Sequence, residues 1–92
     1  MAQLYKNDKD FLIIEMSIPE ATVYCNFGIV CDNCNCLLVG EKTVYYFAVL
    51  NRLFCKECTD DIIKNINREP EDISYEVKHY NFYADKLNLE KV

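Results

Sequence analysis

Two cysteine pairs, Cys31-Asp32-Asn33-Cys34 and Cys55-Lys56-Glu57-Cys58, stand twenty residues apart in a chain of 92. Four thiolates delivered as two CxxC turns are the donor set that closes a tetrahedron around one zinc ion. A chain this short has room for one modest core, and a metal bound only by the folded state contributes on the order of 10 kcal/mol in zinc-finger peptides. The pairs therefore constrain the fold more than any other feature, because the segments carrying them must meet. The expected ligands are Cys31, Cys34, Cys55 and Cys58, the expected cofactor is one structural Zn2+, and residues 1–92 are expected to form a single domain.

Six cysteines would also serve a disulfide framework. The opening Met1-Ala2-Gln3-Leu4-Tyr5-Lys6 has neither a basic n-region nor an apolar h-region, and no apolar run reaches membrane-spanning length. The expectation is a cytoplasmic protein, in a reducing compartment where paired CxxC units read as metal ligands. The formal net charge is −5, and metal-bound thiolates would take it to about −7. Acidity of this size disfavours broad phosphate-backbone binding. It is concentrated between Glu57 and Glu76, where seven acids face only Lys64 and Arg68. This stretch reads either as a solvated helix and linker or as a docking face for a basic partner, with Asp60, Asp61, Glu71 and Asp72 as its candidate contacts.

Alternation of Leu12, Ile14, Met16 and Ile18 with their neighbours predicts a half-buried strand over 11–16. Ser17-Ile18-Pro19-Glu20 has the composition of a capping box, so a short helix is expected from 18 to about 25, with a strand through Thr22 to Tyr24 as the alternative. Asp32 and Asn33 are turn formers that let the backbone curl around a metal. From Leu37 to Val39, across Gly40-Glu41-Lys42, through Val44 to Leu50 and across Asn51-Arg52 into Leu53-Phe54, the residues read as short antiparallel strands. Cys58, Ile62 and Ile66 then recur every four residues, predicting a helix from the second pair to about Asn67. After the Arg68-Glu69-Pro70-Glu71 linker, Ile73, Val77, Tyr80, Ala84 and Leu87 share one stripe of an amphipathic helix over 71–88, against a β reading of Ile73, Tyr75 and Val77. The fold class is α+β.

A knuckle, a hairpin and a helix whose first turn bears the last two ligands resemble a treble-clef zinc finger over 31–66. The run Leu53-Phe54-Cys55-Lys56-Glu57-Cys58 is similar to the second knuckle of LIM-type fingers. Two departures stand out: Asn35 and Thr59 follow the pairs where zinc ribbons usually place Gly, and the ligands suffice for one module where LIM domains have two. The wider pattern, Phe27 to Cys34, Tyr45 to Asn51 and a helix from Tyr80 to Leu87, is also similar to small zinc-finger proteins of bacterial phages and mobile elements. That likeness implies a bacterial cell, or the host cell of a phage, as the setting.

Cys25 and Cys36 are left over, either as small buried hydrophobes or, for Cys36, within an alternative Cys34, Cys36, Cys55 and Cys58 set that resembles redox-switch zinc chaperones. Catalysis is not expected. His79 is the only histidine and is expected to face solvent, the zinc deaminase signature is absent, and four cysteines leave zinc no open position. Tyr45, Tyr46 and Phe47 would suit base stacking or core packing, with packing favoured. The leading expectation is a non-catalytic protein-interaction module. Tyr75, Tyr80, Phe82 and Tyr83 cannot share one helix face, so some would be open to a protein partner or to a second copy of the chain, unless Phe82 or Tyr75 packs under the N-terminal strand. The competing expectations are an acidic inhibitor of a host nucleic-acid-binding defence enzyme, of DNA-mimic or anti-CRISPR type, and a redox-switch zinc protein.

Overall fold

Four short strands zigzag through the first half of the chain and its hairpin: β1 (Gln3–Leu4), β2 (Ile13–Met16), β3 (Val44–Phe47) and β4 (Arg52–Phe54). The computed structural model describes residues 2–38, 43–67 and 69–92. Among these, the strands form one antiparallel sheet in the order β1-β2-β3-β4, with Ile14 opposite Tyr46 and Tyr46 opposite Leu53. Since alternate residues point to opposite faces, Ile14, Met16, Val44, Tyr46 and Leu53 share one face. Ile13, Glu15, Tyr45, Phe47 and Phe54 share the other.

Every residue of β3 is buried, so both faces of the sheet are covered. On one face Phe27 stacks on Tyr46 at 5.1 Å between centroids, and Tyr83 closes on both rings. On the other, Tyr5 meets Tyr45 edge-on at 4.9 Å, and Lys56 lies over the two rings. Tyr45, Tyr46 and Phe47 are thus core, and none offers a face to a base.

The first strand begins at Ile13 rather than residue 11, and β1 pairs from a segment whose polar composition gave no strand signal. The loop between them is tied by Asn7, whose side chain accepts from the Lys9 and Phe11 amides and donates to the Phe11 carbonyl. The capping box forms reciprocally: Glu20 Oε1 accepts from the Ser17 amide and hydroxyl, while the Glu20 amide donates to Ser17 Oγ. The helical segment it opens winds as a π-helix over Glu20–Tyr24, with the Cys25 amide donating to Glu20 O; no strand forms there. Of the expected strand at 37–39, Leu37 makes an isolated bridge to Val30. Val39 and the turn at Gly40-Glu41-Lys42 lie outside the described residues, as does Arg68 of the linker.

Helix α1 (Lys56–Asn65) stops two residues short of expectation, and Lys9 Nζ donates to the Lys64 and Ile66 carbonyls at its end. A 3-10 turn, Pro70–Asp72, leads into helix α2 (Ile73–Leu87), which rules out the β reading of that segment. Asn88 ends α2 in the left-handed region, and the Leu89 amide returns to Ala84 O.

Three side chains on α2 correct the sequence reading. Glu76 was grouped with the solvated acids, yet it is 1% exposed, and its Oε2 accepts the Leu12 amide at 2.9 Å. His79 was expected in solvent and is instead half-buried, its Nδ1 donating to Ala48 O at 2.9 Å. Tyr80 was a candidate partner contact and is 3% exposed, its hydroxyl donating to Glu90 O. For Glu76 and His79 the reason is that α2 lies across the end of the β2–β3 pair, where unpaired backbone groups need partners, whereas Tyr80 is tied to the segment that follows α2. Among the described residues, no helix is long and apolar enough to cross a membrane.

Candidate metal centre

The first pair sits in a tight knuckle. The Cys31 amide donates to Cys36 O and the Asn35 amide to Cys31 O, both at 3.0 Å, and the Leu38 amide closes on Ile29 O. The curl needs a left-handed residue directly after Cys34, and Asn35 supplies it at φ 63°. Asparagine tolerates this region better than other non-glycine residues, so the departure from the usual Gly is a substitution of means. The same device recurs at Asp10, Asn26, Asn51 and Asn88.

The knuckle is fastened to the sheet by Asp32, whose amide donates to Leu53 O at 2.9 Å while its Oδ2 accepts the Leu53 amide at 3.0 Å. Because Leu53 is paired with Tyr46, this clamp fixes the first cysteine pair relative to β3 and β4. The second pair follows β4 directly: Cys55 is the extended N-cap residue of α1, and Cys58 stands in its first turn. A helical i, i+3 offset puts both sulfurs on one side.

These elements bring Cys31, Cys34, Cys55 and Cys58 together, with all four sulfurs within 4.8 Å of one another. Zinc–sulfur bonds of about 2.3 Å imply sulfurs about 3.8 Å apart in a tetrahedron, and Cys34 lies 4.0 Å from Cys55. The donor set and its spacing fit a four-coordinate metal ion. Cys31, Cys55 and Cys58 are buried, and Cys34 alone is exposed. Two donors already point at the sulfurs: the Cys55 amide at Cys31 Sγ, 3.4 Å, and Asn33 Nδ2 at Cys58 Sγ, 3.3 Å.

Without a metal, Cys34, Cys55 and Cys58 ionise unequally. Hydrogen bonds from the Cys36 backbone and thiol hold Cys34 down at about 6. Burial pushes Cys55 up to about 11. For Cys58 the Asn33 amide pulls downward, but burial and the neighbouring sulfurs outweigh it and push the thiol up to about 12. A bound dication reverses that preference and displaces the protons, so metal affinity rises with pH.

The left-over cysteines part company. Cys25 is buried, and burial raises its thiol to about 11, as the small-hydrophobe reading expects. Cys36 is exposed, which that reading did not expect, and its Sγ lies 3.2 Å from Cys34 Sγ.

The partner-surface candidates are scattered. Tyr75 and Phe82 are 62% and 57% exposed, so neither packs under the N-terminal strand. Tyr83 is half-buried against Phe27 and Tyr46, and Tyr80 belongs to the core. Asp61 and Glu71 are exposed, Asp60 and Asp72 partly so, and Asp60 is paired with Lys56 at 3.0 Å. Sequence reading missed Asp32 and Asn33 as supports of the centre. Their side chains were read as turn formers, and the signal available was a polar residue inside a CxxC turn facing the second pair.

No protein-family model matches the chain, and no curated protein or solved structure matches it.

Proposed function

We propose that the chain is a non-catalytic protein-interaction module built on one structural zinc ion in a treble-clef arrangement. The observation that carries this reading is the convergence of two thiols from a knuckle and two from the start of a helix, behind a β-hairpin, on one point. Four sulfurs complete a tetrahedron and leave no position for a reacting water, as in structural rather than catalytic zinc sites. His79 is the one histidine, so an acid–base relay would have no second imidazole to draw on. The interaction surface we assign to the outer side of α2 around Tyr75 and Phe82, two large aromatic side chains that stay in water, with the exposed carboxylates of Asp61 and Glu71 as further candidate contacts.

Elemental analysis with native mass measurement tests the centre: one zinc per chain is expected, lost on replacing any one of the four cysteines by Ser. Capture from cells with the wild-type chain and a Tyr75→Ala, Phe82→Ala variant tests the surface. An unchanged set of captured proteins would remove that face from consideration, and a metal-dependent turnover would overturn the non-catalytic reading.

A further inference from the structure

The solvent-reachable edge of the sulfur cluster is made of two cysteines, only one of which belongs to the ligand set. Cys34 is the exposed member of the set, and Cys36, also exposed, lies 3.2 Å from it, against 4.0 Å from Cys34 to Cys55. Left-handed Asn35 between them bends the chain so that both side chains fall on one side. The Cys31 amide pins the Cys36 carbonyl and keeps the pair in that register. Cys25, by contrast, is buried beside Tyr46 and Tyr83 and takes no part.

We infer that Cys34 and Cys36 form a reversible thiol pair that couples oxidation by hydrogen peroxide to release of the metal; the inference rests on the zinc reading above. The Cys34 sulfur attacks one peroxide oxygen, the O–O bond breaks, and hydroxide leaves as water with a proton from the thiol or from solvent. Cys34 is then a sulfenic acid. The Cys36 sulfur attacks it, the S–S bond forms, the S–O bond breaks, and a second hydroxide leaves as water with the Cys36 proton. The two thiols lose two electrons and the peroxide gains them. From 3.2 Å, the sulfurs close to a bond of about 2.05 Å. Cys34 then no longer serves as an anionic ligand, leaving Cys31, Cys55 and Cys58 as a three-thiolate set from which the ion would be lost. A dithiol reductant breaks the bond and restores the fourth ligand.

The test uses the full chain loaded with zinc and treated with hydrogen peroxide, with a metallochromic dye reading free zinc and non-reducing peptide mass mapping reading the sulfurs. In wild type, zinc is released, the peptide carrying Cys34 and Cys36 is lighter by two hydrogens, and dithiothreitol restores both. Cys36→Ser is expected to load zinc normally, to lose the light peptide, and to lose most of the zinc recovery as Cys34 passes to the sulfinic acid. Cys25→Ser is expected to match wild type. Zinc retained under peroxide, a disulfide from Cys34 to Cys55, or full recovery in Cys36→Ser would each overturn the pair. Failure of Cys36→Ser to load zinc would do so too, by making Cys36 a ligand. A wild-type chain that binds no zinc overturns the metal reading instead, and the mass map still decides whether Cys34 and Cys36 join.

Discussion

Asn33 and Glu76 do work that their surroundings, rather than their residue types, define. Asn33 sits between two ligands and donates its amide to the sulfur of a third, Cys58. Supports of this kind typically set metal affinity within a factor of 10 to 100. Asn33→Ala is expected to weaken zinc binding by about 10- to 100-fold with the stoichiometry unchanged, as read by competition with a chelator of known affinity. Glu76 is a carboxylate in the core that accepts the Leu12 amide. Replacing it by Ala leaves a buried N–H without that acceptor, so Glu76→Ala is expected to cost about 1–3 kcal/mol in urea denaturation. The exposed Phe82→Ala should stay within about 0.5 kcal/mol of wild type, which keeps it usable as a surface probe.

Among the elements, the Ser17–Glu20 capping box carries a pH signature. Burial alone would raise the Glu20 carboxyl, but hydrogen bonds from Ser17 and the Ala2 amide outweigh it and hold it below the ordinary 4.5. A group whose folded value is depressed stabilises the fold above its unfolded value, and that contribution disappears as pH falls through the folded value. Glu20→Gln should therefore be less stable than wild type at neutral pH, by about 1 kcal/mol, because Gln can keep the Oε1 acceptor for Ser17 but loses the second acceptor that faces the Ala2 amide. The difference should shrink below 4.5, which thermal melts across an acid series would show. The capping box was legible in the sequence because it is a local pattern, whereas the winding of the segment was not. The sequence reads as a short helix with a strand through the β-branched Thr22 and Val23 as the alternative, and the turn that forms is π-helical, burying Ala21 and Cys25. Likewise the amphipathic stripe gave α2, but it could not show that Glu76 and His79 reach backbone groups of Leu12 and Ala48. Those contacts depend on where β2 and β3 end, which periodicity within one helix does not encode. The convergence of the four cysteines was legible since CxxC spacing is itself a geometric statement, and the exposure of Cys36 was not, since it depends on the conformation of Asn35.

For the molecule as a whole, the sheet is fastened to the metal centre by the Asp32–Leu53 clamp and by Cys55 at the end of β4. Losing the ion therefore should not stay local. Chelation of zinc is expected to abolish the cooperative thermal transition, since a structural zinc contributes on the order of 10 kcal/mol and a domain of this size has little more in total. Circular dichroism before and after a strong chelator, with recovery on adding zinc back, would check it; a metal-free chain that melts cooperatively near the wild-type temperature would refute it. Acidification should act in the same direction, because protons compete with the ion for thiols that burial holds at high values.

All four sulfur donors lie between Cys31 and Cys58, whereas the contacts that secure the far end of the chain join α2 to Leu12 and Ala48. Synthesis runs from the first residue to the last, so every candidate ligand emerges from the ribosome before α2 does. The centre can fill on a nascent chain, and the newborn sheet then waits with the Tyr46 face open until the last helix arrives to cover it. During that interval a bound metal would tie the first cysteine turn to the end of β4, alongside the Asp32–Leu53 clamp, before the core is complete.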